Sequence, residues 1–203
     1  MRITLFCLAL LLTAPLLPAR GDEASTGRTW ATHIDEPGLP NFARVNDHLF
    51  RGAQPTAEGF RQLEKLGFRT VVSFRRFHDD KNLLAGTGLA YLRIPMTAAL
   101  PDVDDIVEFL KIATDTHRWP IFMHCQHGAD RTGLQAAAYR MVVEGWSADE
   151  AIDEMTRGGF GFHMIYQNLV SLVRSLDAAD LRRRAGLAAA PPPAGQRSAY
   201  TTP

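Results

Sequence analysis

The sequence predicts an α/β fold: a three-layer domain with a central, partly parallel sheet flanked by helices. Two observations predict it. Short apolar runs alternate with stretches of helical periodicity, in the order strands, helix, strand, strand, helix, strand, helices. One of these runs, Ile121-Phe122-Met123, is followed by a loop containing a glycine and then a helical stretch, as a strand buried inside such layers would be. At 203 residues, 46% hydrophobic and 22% charged, the chain carries enough apolar material for one domain with its own core.

The elements follow in chain order. Residues 1–21 read as a secretory signal peptide, with a positive start at Met1-Arg2, an uncharged apolar run from Ile3 to Leu17, and small residues before Asp22. Pro15, Pro18 and the shortness of the run argue against a retained membrane span. The expected destination is therefore periplasmic or secreted. Loss of this segment removes Cys7 and leaves Cys125 as the only cysteine, so no internal disulfide is expected. An unpaired thiol carried into an oxidising compartment is a liability unless it has a chemical task.

Residues 22–40, polar and broken by Pro37 and Pro40, read as a linker, and 41–180 as the folded domain. Phe42 and Val45, then Leu49-Phe50, predict two short strands around a turn at Asn46-Asp47. Thr56 caps a helix whose face is Phe60, Leu63 and Leu66 and which Gly67 stops. Arg69 to Phe74 and Leu89 to Met96 are strands, separated by a charged loop in which Arg75, Arg76, His78 and Lys81 are diluted by Asp79 and Asp80. That loop reads as a solvated surface, or as a basic group near a pocket if the sheet end lies there. Asp102 or Asp104 caps a helix with Val103, Ile106, Val107 and Leu110 on one face. Leu134 to Glu144 is helical, Ser147 with Glu150 forms a capping box, and a last helix spans roughly Ile165 to Leu176 beyond Gly158-Gly159. Residues 181–203, rich in Arg, Ala and Pro, read as a disordered tail.

The chemistry concentrates in His124-Cys125-Gln126-His127-Gly128-Ala129-Asp130-Arg131-Thr132-Gly133. A tight loop between a pinned strand and a helix start can turn its N–H groups inward around an anion, helped by the positive end of the helix. Gly128 lets the loop close. Cys125, at the strand end, feels the same field, which favours the nucleophilic thiolate. Arg131 can hold two oxygens of one phosphoryl group. Thr132 is placed to donate its hydroxyl to the sulfur. Gln126, His127, Gly128, Ala129, Asp130, Arg131 and Thr132 are thus the candidate phosphate-binding residues.

This stretch resembles the H-C-x-x-G-x-x-R-[ST]-G signature of cysteine-based protein phosphatases, in the dual-specificity branch of bacterial or atypical type. Arg51-Gly52-Ala53-Gln54-Pro55 and Val71-Val72-Ser73-Phe74-Arg75 fall in the order seen there, so the resemblance covers roughly residues 41 to 157. It implies a cysteine phosphatase-like fold and metal-independent hydrolysis of phosphate monoesters through a phosphocysteine. Cys125 is then the nucleophile, Arg131 the transition-state clamp, and an aspartate on an upstream loop the general acid. Thr97-Ala98-Ala99-Leu100 offers no carboxylate at the usual place; Asp102 comes next, with Asp104 and Asp130 as alternatives. Asp130, just before the arginine, resembles the loop aspartate of myotubularin-type lipid phosphatases.

No cofactor is expected. His124, Cys125 and His127 lack the spacing of a zinc site, so no metal ligands are assigned. A formal charge of zero implies no bulk attraction to nucleic acid, and no stable membrane insertion is expected once the signal peptide is gone. The expected partner is a phosphorylated protein or a small phosphomonoester. Alternatives are a phosphoinositide or inositol phosphate substrate, and a non-catalytic phosphate-binding pseudophosphatase.

Overall fold

A computed structural model of the chain describes residues 28–188. The expected signal peptide, the first part of the expected linker and residues 189–203 lie outside the described residues. A six-stranded sheet has the order β1-β2-β3-β6-β4-β5. Here β1 is Thr32–His33, β2 Ala43–Arg44, β3 Leu49–Gly52, β4 Thr70–Arg75, β5 Ala90–Met96 and β6 Ile121–His124. β1, β2 and β3 pair antiparallel, while β3, β6, β4 and β5 pair parallel. The turn between β2 and β3 is built by Asn46, whose side-chain oxygen accepts from the N–H groups of His48 and Leu49.

Side-chain alternation along β6 divides the core. Phe122 packs with Phe60 and Leu63 of α1 (Ala57–Lys65) on one side of the sheet. Ile121 and Met123 face the other side, where α2 (Val103–Ala113), α3 (Asp130–Val142), α4 (Ala148–Arg157), α5 (Gln167–Ser175) and α6 (Ala178–Arg184) pack. α3 lies at the centre of this layer and is buried along almost its whole length. Among the described residues no helix is long and apolar enough to cross a membrane.

The caps fall where expected: Thr56 accepts from Gly59 N–H, Asp102 from Asp104 N–H, and Ser147 and Glu150 close a capping box. Three expectations need correction. Leu66, expected on the buried face of α1, is half exposed, because it lies past the last helical turn. The linker does not extend to residue 40. Ala31 and Leu39 are buried, Thr32–His33 forms the edge strand, and the Ala31 N–H donates to Glu154 of α4 at 2.6 Å. The tail does not begin at 181, since α6 runs through it, capped by Asp177, with Leu181 buried against α3. Both segments look polar in sequence but each places one or two apolar side chains on the core.

Candidate active site

Parallel pairing sets the position of the site. Gly52 of β3 and Ser73 of β4 flank His124, so β3, β6 and β4 end together and the chain leaves β6 at Cys125 between two neighbours. Open α/β sheets bind their ligands at this end.

The loop from Cys125 to Arg131 is held from outside. Its successive carbonyls are each engaged: Gln126 O by the N–H of Gln54 at 3.2 Å, His127 O by Asn41 Nδ2 at 2.9 Å, and Gly128 O by Arg51 Nη2 at 2.8 Å. With the carbonyls drawn outward, the N–H groups turn the other way. None of those from Gln126 to Thr132 has a hydrogen-bond partner among the described residues. α3 begins inside this stretch, four residues before the predicted Leu134, and its N-cap Ala129 offers no side-chain acceptor. Its first N–H groups therefore join the ring. Gly128 is required twice over. Its φ is +71°, and a Cβ there would lie 2.5 Å from the Gly52 carbonyl.

Cys125 is buried, as a free thiol. The Arg131 guanidinium reaches the pocket and is steadied by the Phe74 carbonyl at 3.4 Å. Thr132 is fully buried and its hydroxyl has no partner among the described residues, so the expected bond to the sulfur is not formed. The pocket encloses about 440 Å³. Gln126, His127, Asp130 and Arg131 line it together with Arg75 at the end of β4 and Arg76 and Phe77 just after it. The basic loop is therefore part of the pocket wall at Arg75 and Arg76, whereas Lys81 is exposed beside Asp79.

Asp102 is not brought to the site. It is an exposed cap of α2, outside the pocket lining, and Asp104 pairs with Arg184. Asp105 is part-buried on the same helix, and burial followed by the charges of Asp102, Glu108 and Asp104 pushes its pKa up. Among the described residues Asp130 alone supplies a carboxylate to the lining. It is 6% exposed, accepts from the backbone N–H of His163 at 2.9 Å, and faces His163 Nδ1 at 2.9 and 3.1 Å. His127, Asp130 and His163 cluster within 4.8 Å, but the carboxylate is already committed to two donors of His163. The group is a hydrogen-bonded dyad with a neighbouring imidazole.

Four residues outside the signature complete the site. Arg51 is fully buried under the loop, stacked 3.7 Å from the Phe160 ring centroid. Burial lowers its pKa, and the charges of Glu154 and Cys125 partly restore it, to about 10, so it stays charged at neutral pH. In the sequence it stands at the head of Arg51-Gly52-Ala53-Gln54-Pro55, part of the family resemblance, but nothing there assigned it to the site. Asp80 is fully buried behind His124, with Oδ2 3.2 Å from His124 Nε2 in a contact too bent for a good hydrogen bond. Burial works to raise its pKa. The contact with His124 and the bonds from Gln54 and Tyr91 outweigh that and bring it to about 2. His124 thus faces Asp80 and the α1 side, away from His127, so His124, Cys125 and His127 do not converge on a metal. Asn41 and His163 had no signal beyond their residue type.

Residues 35–171 match the family described as DSP-PTPase phosphatase fused to NAD+ Kinase. The chain belongs to this DSP-PTPase phosphatase family. It is 37% identical over 175 residues to the dual specificity protein phosphatase TpbA of Pseudomonas aeruginosa (strain UCBPP-PA14), covering 86% of this chain and 78% of that protein. It is 26% identical over 153 residues to the inositol diphosphatase DSP3 of Arabidopsis thaliana, covering 70% and 73%. The crystal structure of a cysteine-to-serine variant of P. aeruginosa TpbA in complex with phosphotyrosine superposes with a TM-score of 0.70 at 34% identity, covering 80% of this chain and 99% of that one. The catalytic core of the S. cerevisiae PP-IP phosphatase Siw14 shares the fold, with a TM-score of 0.62 at 23% identity, covering 73% and 93%.

Proposed function

We propose that this DSP-PTPase family member hydrolyses phosphate monoesters through a phosphocysteine at Cys125, with phosphotyrosine-bearing proteins as the preferred substrate class. The observation that supports it most is the loop whose Gln126, His127 and Gly128 carbonyls are engaged outside and whose N–H groups have no partner among the described residues. Such a ring receives three equatorial oxygens, and phosphoryl transfer depends on positioning and charge stabilisation more than on covalent help. The Cys125 thiolate attacks phosphorus in line with the departing oxygen. Arg131 and the loop N–H groups hold the charge that spreads over the equatorial oxygens. Water then attacks the phosphocysteine and the sulfur leaves.

The rim supports the substrate class. Phe77 is 91% exposed and Ile165 84% exposed, and both line the mouth beside Arg75 and Arg76. An aryl ring with flanking peptide would cover such a rim. TpbA, named a dual specificity protein phosphatase and crystallised with phosphotyrosine, agrees with this reading. A second reading takes an inositol phosphate, favoured by Arg75 and Arg76 in the wall and by the relative named inositol diphosphatase. It carries less weight because Gln126, His127 and Ala129 add no lysine to the loop. Export through cleavage of residues 1–21 belongs to the same proposal, and N-terminal sequencing of the processed protein checks it.

The experiment is phosphate release from a phosphotyrosyl peptide and from an inositol pyrophosphate, with chelator present, for wild type and Cys125→Ser. Turnover of the peptide that survives chelation and is lost in the variant is expected. Phosphopeptide binding without turnover by wild type would favour the pseudophosphatase alternative instead.

A further inference from the structure

Among the described residues the pocket offers no uncommitted carboxylic acid to protonate the leaving oxygen. The loop Thr97 to Leu100, where the family's upstream aspartate would sit, presents Ala98 and Ala99 to the pocket and is fastened there by Asn168, which donates to both of their carbonyls. Methyl groups give no proton. Asp102 lies outside. Asp130, the one carboxylate in the lining among the described residues, has both oxygens turned to donors of His163.

His163 has what those residues lack. It stands in the connection between α4 and α5 and lines the same pocket as Gln126 and Arg131. Two bonds to Asp130 fix it, one from its backbone N–H and one at Nδ1. A carboxylate only accepts, so Nδ1 carries the hydrogen and Nε2 is the nitrogen free to exchange a proton. Nε2 makes no hydrogen bond among the described residues, the side chain is 46% exposed, and it lines the pocket with its carboxylate partner. The ring of His127 is 5.3 Å away but has no hydrogen-bond partner among the described residues to orient it.

We propose that His163, oriented by Asp130, is the acid–base group of the phosphatase reaction in this chain; the inference rests on the phosphatase reading above. In the first step a bond forms between Cys125 Sγ and phosphorus while the bond from phosphorus to the leaving oxygen breaks. The proton on His163 Nε2 passes to that oxygen. In the second step a water oxygen bonds to phosphorus and the S–P bond breaks, returning its electron pair to the sulfur. The proton of that water goes to Nε2, which restores the imidazolium. Nδ1–H stays on Asp130 throughout. His163 is the catalytic group and Asp130 a positioning residue.

The test is the dependence of kcat/KM on leaving group and pH, with chelator present, for wild type, His163→Gln, His127→Gln and Asp130→Asn. The substrates are 4-nitrophenyl phosphate, whose leaving group needs little protonation, and phenyl phosphate, which needs more. The charged and titratable groups around His163 are Asp130, His127, Tyr166, Arg131, Arg75 and Arg76, and the His127 variant controls for the nearest of them. In His163→Gln we expect phenyl phosphate turnover to fall about hundredfold, 4-nitrophenyl phosphate turnover to fall much less, and the basic limb of the pH profile to disappear. Asp130→Asn should steepen the leaving-group dependence in the same direction, with vanadate affinity kept as proof that the loop is intact. An unchanged leaving-group dependence and basic limb in His163→Gln, or their loss in His127→Gln instead, overturns the assignment while wild-type turnover leaves the phosphatase reading standing. Absence of wild-type turnover on both substrates would overturn both.

Discussion

Arg51 is a fully buried guanidinium that touches the phosphate loop from below, and two of its nitrogens, Nε and Nη1, have no hydrogen-bond partner among the described residues. Burying that charge is costly, and its compensation is the Gly128 carbonyl, the Phe160 ring and the charge of Glu154. Arg51→Met keeps the length and apolar packing but removes the donor and the charge. A charge-assisted bond is worth about 1.5–3 kcal/mol, so vanadate affinity should fall about tenfold or more by titration. Asp80 governs acid stability by the opposite route. Its folded pKa, about 2, lies below the unfolded carboxyl value of about 3.9, so its contribution is fully present above pH ~4 and is lost as pH falls through about 2. The contribution is on the order of 2 kcal/mol. Denaturant unfolding of Asp80→Asn should therefore show a flatter pH dependence than wild type in that window, and an unchanged slope would refute the account.

At the scale of elements, the site is a junction between a strand that ends and a helix that begins without a cap. Ala129 has no side-chain oxygen to offer, so the first N–H groups of α3 stay open for an anion. α1, α2, α4 and α6 each have a Thr, Asp or Ser cap instead. The join depends on Gly128, which crosses within contact distance of the Gly52 and Ala53 backbone. Gly128→Ala puts a methyl group into that backbone at positive φ, and neither neighbour is a side chain that can swing away. The expected result is a stability loss of about 1–3 kcal/mol by chemical denaturation, together with loss of oxyanion binding. Retained vanadate affinity would show that the loop does not need this close approach.

At the scale of the molecule, one buried polar network ties the N-terminal segment to the helical layer. Glu154 of α4 accepts from Arg140 Nε at 2.8 Å, from Arg140 Nη2 at 2.6 Å and from the Ala31 N–H at 2.6 Å. Arg140 also donates to the carbonyls of Thr29 and Val45 and lies 4.3 Å from the Trp146 ring centroid. Burial opposes the charge on Arg140, and the bonds to Glu154 and Glu144 more than offset it, raising its pKa. Removing one partner leaves the other buried and unpaired. Glu154→Ala should lose about 3–5 kcal/mol and expose residues 28–33 to limited proteolysis before the rest of the domain. Simultaneous cleavage of the whole domain would mean that the segment does not depend on this network.

Much of this was legible in the sequence where the pattern is local. The apolar run Ile121-Phe122-Met123 falls inside β6, the Ser147 cap follows from its three-residue spacing to Glu150, and the Cys-to-Arg loop announces its chemistry by residue type alone. Asp102 shows the limit of such reading: a carboxylate at a helix start is equally a cap and an acid, and local sequence does not choose. The choice came from tertiary structure. His163 meets Asp130 across 33 residues and Arg51 meets Gly128 across 77, contacts made by strand pairing and by helices packing on a shared core. The sequence by itself determined which groups can hold and attack a phosphoryl, because strand, loop and helix start are contiguous there. Which imidazole–carboxylate pair and which buried cation lie beside them was decided only by the fold, because burial and parallel pairing bring together residues whose separation along the chain carries no periodic signal.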